Sequence, residues 1–242
     1  MMAQTTIAGP ALDRSPQRLA RAAALLFLIV TVAGIVAQVF ISDTLTVTGD
    51  AAATAANILK QEGLFRLGFT IYLIEMASQV AQITALYFLL KPAGRGLAVL
   101  ALVFGLVGCT IKTLSRLFYI TPLFVLSGDF LSVFSLEQRQ ALALLLLGIN
   151  DQAAGMALAF FGLSTLLNGI LEFQSGFLPR FLGALSILGG LGWLSFLYPP
   201  LGQQLLPVVL GFGLVGGAVE TLWLLIKGVD VVEWARRASD MT

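Results

Sequence analysis

Residues 19–40 read LARAAALLFLIVTVAGIVAQVF, and this stretch decides the fold. After Arg21, about 19 residues pass without a charge. A cleaved secretory signal is the rival reading, because Arg14, Arg18 and Arg21 precede the apolar run. Such signals have an apolar centre of about 7–15 residues and a small-x-small end. This run is longer and has no clean end of that kind, so it reads as a retained helix. About 20 apolar residues are what a bilayer core of about 30 Å requires.

Five further runs follow. The spans are expected at about 19–40, 67–90, 97–121, 141–171, 181–198 and 205–226. The fifth is short and ends at Pro199-Pro200; the fourth is long and must tilt or protrude. Composition agrees: 58% of the 242 residues are apolar and only 11% charged, against about 25% in soluble domains. Mean hydropathy is +0.93. The expected fold is all-α, a six-span transmembrane bundle with lipids as its main surroundings. The net charge of +1 leaves no basic patch for nucleic acid.

Basic residues set the expected orientation. With both termini cytoplasmic, Arg14, Arg18, Arg21, Lys91, Arg95, Arg180, Lys227, Arg236 and Arg237 lie inside, and only Lys60, Arg66 and Arg139 outside. The tails are then residues 1–18 and 227–242. The longest outer connection carries a helix at about 50–62, with Asp50 as its N-cap and Gly63 as its end. Ser135-Leu136-Glu137-Gln138 is a capping box ahead of the fourth span.

Absent residue types exclude much chemistry. There is no His and one Cys, Cys109. This removes His-ligated haem, His-built zinc and di-iron sites, Ser-His and Cys-His nucleophiles, and any intramolecular disulfide. No acidic cluster suits a metal-dependent phosphotransferase. No metal or cofactor is expected and no catalytic constellation is recognised; a noncovalent isomerase using Tyr72 or Glu75 stays open.

One motif points the other way. Pro207–Glu220 reads PVVLGFGLVGGAVE, with Gly211, Gly213 and Gly216 in dinucleotide-fingerprint spacing and Asp230 19 residues after Gly211. The fingerprint works only where a strand turns into a helix and frees backbone N–H groups for the pyrophosphate. Inside a long apolar run, Gly213 and Gly217 read instead as a small-residue packing face. Gly148, Gly155, Gly162 and Gly169 recur every seven residues and form a second such stripe, suited to packing within the bundle or to self-association.

The candidate site is polar. Tyr72, Glu75, Gln79 and Gln82 are spaced by three, four and three residues, so all four lie on one face of the second span. Lys112 and Arg116 are one turn apart in the third, with Tyr119 next on that face. Asn150 and Asp151 stand in the fourth beside Gln152. At 1.5 Å per residue, Glu75 lies about 13 Å and Lys112 about 8 Å below the outer edge. Glu75, Asp151, Lys112 and Arg116 can therefore meet in one outer-half layer; Glu220, near the inner end, is expected to stand apart. Three readings of this layer remain. It is a solute-binding cavity, a salt-bridge cluster that fixes packing, or a place where the two cations snorkel to headgroups.

Three stretches carry a family resemblance: GDAAATAANIL at 49–59 with LFRLGF at 64–69, FSLEQRQALALL at 134–145, and SGFLPRFLGALSILGGLGWL at 175–194. Together with the span order, the chain resembles the bacterial domain of unknown function 4386 family from about Arg18 to Lys227. The resemblance implies a bacterial inner-membrane protein and assigns neither activity nor catalytic residues. Its pattern often has histidines in the fourth span, where this chain has Asn150 and Ser164. The expected role is binding or moving an unidentified small solute. The alternative is a structural or regulatory protein acting through helix contacts.

Overall fold

The computed structural model describes residues 15–128 and 133–240. The expected N-terminal tail up to residue 14, with Arg14, lies outside them, as do Met241 and Thr242.

Six helical stretches are long and apolar enough to cross a membrane: Pro16–Leu45, Glu62–Ala93, Arg95–Ser127, Leu136–Ser175, Arg180–Leu197 and Pro199–Ile226. The first starts as α1 (Pro16–Ile35), with the Ser15 side chain accepting from Arg18 N and Pro16 in the opening turn. These features suit a helix start, where the first N–H groups have no intrahelical partner. It continues through a wide π-helical segment, Val36–Ser42, into the short α2 (Asp43–Leu45). The other spans are built on α4 (Glu62–Leu90), α5 (Arg95–Ser127), α6 (Leu136–Ser175), α7 (Arg180–Trp193) and α8 (Pro199–Ile226). Two shorter helices, α3 (Ala51–Lys60) and α9 (Val231–Ser239), lie outside the spans.

Local signals explain most ends. Asp50 caps α3 by accepting from Ala53 N at 2.9 Å. Ser135 and Gln138 form the capping box of α6. The end of α3 corrects the sequence reading. The chain breaks at Gln61, and Gly63 is already inside α4. Glu62 and Arg66 pair across one turn at 2.7 Å, which favours starting the new helix ahead of the glycine.

The six spans form a closed ring in chain order. Each packs on the next, and α8 returns to α1. Leu25, Leu28, Val32, Phe212 and Val215 remain exposed around the outside, the pattern of helices whose outer faces meet lipid. The ring is clasped at one face. Gln17 Nε2 donates to Val229 O at 2.7 Å, and Val229 N donates back to Gln17 Oε1 at 3.3 Å. Gly228 makes this possible. Its φ is +70°, and a Cβ there would lie 1.7 Å from Gln17 Oε1. Trp234 of α9 donates to Leu89 O at 2.8 Å, so the start of α1, the end of α4 and α9 share this face. Lys91, Arg95, Arg180 and Lys227 lie at the span ends here, and we call it the basic face. Hydrogen bonds from Arg236, with Arg237 adding to them, hold the Glu233 carboxyl of α9 at about 2, well below the usual range.

The glycine stripes are used unequally. A Cβ on Gly169 would lie 2.6 Å from Ile187 N, and one on Gly183 would lie 2.4 Å from Phe173 N. A Cβ on Gly162 would lie 2.9 Å from Trp193 Cβ, and one on Gly190 would lie 2.6 Å from Leu166 N. Thus α6 and α7 touch backbone to backbone along two facing glycine pairs. A Cβ on Gly217 would lie 2.8 Å from Phe27 of α1, and one on Gly213 would lie 3.2 Å from Trp193. One on Gly155 would only touch Phe196, at 3.8 Å, and one on Gly148 would meet nothing within 4 Å among the described residues. Two of the four glycines in the stripe expected to serve packing or self-association, Gly162 and Gly169, are therefore spent on close packing inside the chain. Gly211, Gly213 and Gly216 are interior to α8, and among the described residues no strand precedes them, so they lack the strand-to-helix turn a dinucleotide fingerprint needs.

Candidate functional site

The polar residues of α4 point into the ring, as their spacing requires. Tyr72, Glu75 and Gln82 are buried and Gln79 half-buried. Opposite them on α5, Lys112 Nζ lies 2.6 Å from Glu75 Oε1, with side-chain exposures of 18% and 4%. This is a buried ion pair between adjacent spans. Glu75 Oε2 is buried and has no hydrogen-bond partner among the described residues.

Arg116, one turn along α5, is not part of that pair. It is 2% exposed, and its guanidinium carbon lies 3.6 Å from the Tyr72 ring centroid. Its Nη1 donates to Asn150 Oδ1 at 3.0 Å, and Asn150 Nδ2 donates to Asp151 Oδ1 at 2.9 Å. Asn150 is buried, whereas Asp151 and Gln152 are exposed. Arg116 Nε is buried and has no partner among the described residues. Snorkelling does not describe a guanidinium this enclosed; Arg116 stays in the core, stacked on an aromatic face. Tyr72 donates to Gln38 Oε1 at 2.6 Å, and Gln38 Nε2 donates to Asp43 Oδ1 at 2.7 Å. The π-helical turn of the first span therefore supplies a partner the sequence reading missed. Tyr119 stacks on Phe65 at 4.4 Å, and its hydroxyl has no partner among the described residues.

Two cavities flank the Glu75–Lys112 pair. The larger, about 580 Å³, faces away from the basic face, and its wall includes Gln38, Tyr72, Arg116 and Asp151. The smaller, about 220 Å³, reaches toward the basic face past Gln79, Gln82, Ser164 and Asn168 to Glu172, Ser186 and Glu220. Glu75, Lys112, Leu158 and Trp193 line both. The ion pair therefore stands where the two cavities meet.

The smaller cavity corrects the placing of Glu220. It shares a wall with Glu75 and Lys112, and it is bridged to Glu172, a residue the sequence reading passed over. Ser186 Oγ lies 2.9 Å from Glu172 Oε2 and 3.4 Å from Glu220 Oε2. Among the described residues neither carboxylate has an ion-pair partner. A signal was present. Glu172 is three residues from the end of α6 and Glu220 six from the end of α8, and both helices end at the basic face. At 1.5 Å per residue their depths differ by only about 5 Å.

Six apolar spans around a buried, cavity-lined polar core define a multi-pass membrane protein. The sequence profile described as "Domain of unknown function (DUF4386)" matches residues 22–228, and the chain belongs to that family. No curated protein and no solved structure matches the chain.

Proposed function

We propose that this protein binds a small solute in its larger cavity and moves it through the bundle past Glu75 and Lys112. In this reading the basic face is cytoplasmic, both tails are inside, and the membrane is a bacterial inner membrane. The excess of basic residues at that face supports this orientation.

One observation carries the reading: two cavities, on opposite sides of the membrane-embedded ion pair, share that pair as a common wall. Charged groups are costly in a bilayer and collect along solute paths and cavities. A bundle whose polar residues served packing alone would pair them in a dry core. Here Glu75, Gln79 and Gln82 line a cavity, and among the described residues Glu75 Oε2 and Arg116 Nε are buried without partners. Moving the Glu75–Lys112 pair, together with the Leu158 and Trp193 side chains that share the wall, would join the two cavities, which is the minimal event a carrier needs.

Cysteine accessibility tests this. In a Cys109→Ala background, Gln79→Cys and Asp151→Cys should react with a small water-soluble thiosulfonate, and a lipid-facing Leu28→Cys should not. A screen of small solutes by thermal unfolding in detergent should then find at least one that raises Tm. An inert Gln79→Cys, together with a screen in which nothing raises Tm, would favour a scaffold that acts only through helix contacts.

A further inference from the structure

We infer that the larger cavity takes an amphipathic monoanion, its oxyanion against Arg116 and its apolar body along Met156, Phe196, Leu206 and Leu210. This rests on the solute-binding reading and adds the ligand's chemistry.

The charge inventory comes first. In the buried part of the layer, Lys112 and Arg116 oppose a single carboxylate, Glu75. Lys112 is within 2.6 Å of Glu75, whereas among the described residues no carboxylate is within ion-pair distance of Arg116. Asp151 and Asp43, both exposed, line the same cavity, and Asp151, within electrostatic reach of Arg116, is bonded to it not directly but through the Asn150 amide. One positive charge, 98% removed from solvent, is left without a direct counter-ion. Burying a charge in that condition is costly unless something pairs with it.

Geometry gives the chemistry of the missing partner. Stacking on Tyr72 occupies the face of the guanidinium and leaves its in-plane N–H groups to bond. Among the described residues only one of them, on Nη1, has a partner; Nε is enclosed as well as unpaired, so the outer edge of the guanidinium is what the cavity can reach. A planar fork of donors matches the two oxygens of a carboxylate or phosphate. The rest of the cavity is largely apolar, and Trp193 offers an aromatic surface. Met156 and Leu210, which line the cavity, are exposed, and the cavity is open rather than enclosed. The oxyanion can therefore arrive from water on a small organic acid or from the bilayer on an anionic lipid.

The test uses the full chain in a neutral detergent, with three probes of one shape and different charge: benzoate, benzyl alcohol and benzylamine. Benzoate should raise Tm saturably, and the other two should not. Arg116→Lys, which keeps the charge and loses the fork, should weaken benzoate by about tenfold or more. Gly155→Leu leaves every charge in place and fills the cavity from a position with room beside it, so it should abolish the shift. Arg116→Gln should do the same, and if it does not fold, the other two variants decide. A second arm adds dioctanoyl phosphatidylglycerol. Competition with benzoate identifies the lipid as the natural source, and stabilisation by benzoate alone identifies an aqueous acid. No shift with either anion, or a benzoate affinity unchanged in Arg116→Lys and Gly155→Leu, overturns the inference. A shift from benzylamine that Gly155→Leu removes would overturn the anion assignment and leave solute binding standing.

Discussion

Replacing Glu75 by Gln should destabilise the protein, and replacing Lys112 by Met as well should restore part of the loss. The contact is 2.6 Å long. At an effective dielectric of about 20, two unit charges at that distance attract by about 6 kcal/mol before desolvation is counted. Glu75 is almost wholly enclosed and Lys112 keeps 18% of its side-chain exposure, so desolvation offsets much of this. Removing one partner of a buried pair costs about 3–5 kcal/mol. The residual hydration of Lys112 puts the expected loss near the lower bound, about 3 kcal/mol. Each single variant strands a charge, and the double variant strands none, so the coupling energy should be about 2 kcal/mol or more. Reversible unfolding in mixed micelles measures it. The sequence allowed either cation as the partner, but the structure selects Lys112. The same cycle with Arg116→Met should give a coupling under about 1 kcal/mol. Additivity within about 0.5 kcal/mol for Glu75 and Lys112 would refute a direct pair and the barrier built on it.

Other expectations follow from the same structure. Gly169→Ala places a Cβ 2.6 Å from Ile187 N and should lower stability by about 1–3 kcal/mol or prevent folding, as should Gly217→Leu against Phe27. Gly148→Ala meets nothing and should be neutral or stabilising by about 0.5–1 kcal/mol on the same denaturation assay. Glu172→Gln should raise Tm at neutral pH, because it removes one of two carboxylates that share a hydroxyl without a cation. A fall in Tm as large as that of Glu75→Gln would mean that a bound cation holds the pair. For orientation, single cysteines at Asp50 and Gln203 should label with an impermeant reagent in intact cells, and those at Ala93 and Ser239 should not; the reverse pattern would invert the bundle.

What the sequence disclosed depended on whether the signal was local. Spacing alone put Tyr72, Glu75, Gln79 and Gln82 on one inward face, because helix geometry fixes that relation within a single element. The capping box at Ser135 was equally local. Rise per residue placed Glu75 and Lys112 near enough in depth to meet. The choice of Lys112 over Arg116 depends on how two helices are rotated against each other, which no one-dimensional spacing contains. Gln38 was hidden for another reason. It acts from a π-helical turn, and α-helical periodicity misplaces residues across such a turn. Glu172 was legible by depth alone, but its neighbour α7 had to be placed before Ser186 could be seen to bridge it to Glu220. Gly183 and Gly190 were visible as residues, but their role appears only when α7 lies against Gly169 and Gly162.

The ring closed by Gln17 and Val229 has a consequence for biosynthesis. A ribosome adds about 5–20 residues per second, so the 212 positions separating the two take about 10–40 s to make. Throughout that interval the first span is in the bilayer without its last neighbour. Phe27 has no Gly217 beside it, and the amide of Gln17 has no Val229 to hold. Lipid or an insertion chaperone must cover that flank until the end of α8 emerges. A nascent chain stopped before Gly228 should therefore be held open and vulnerable to membrane proteases, even though most of the bundle has already been inserted.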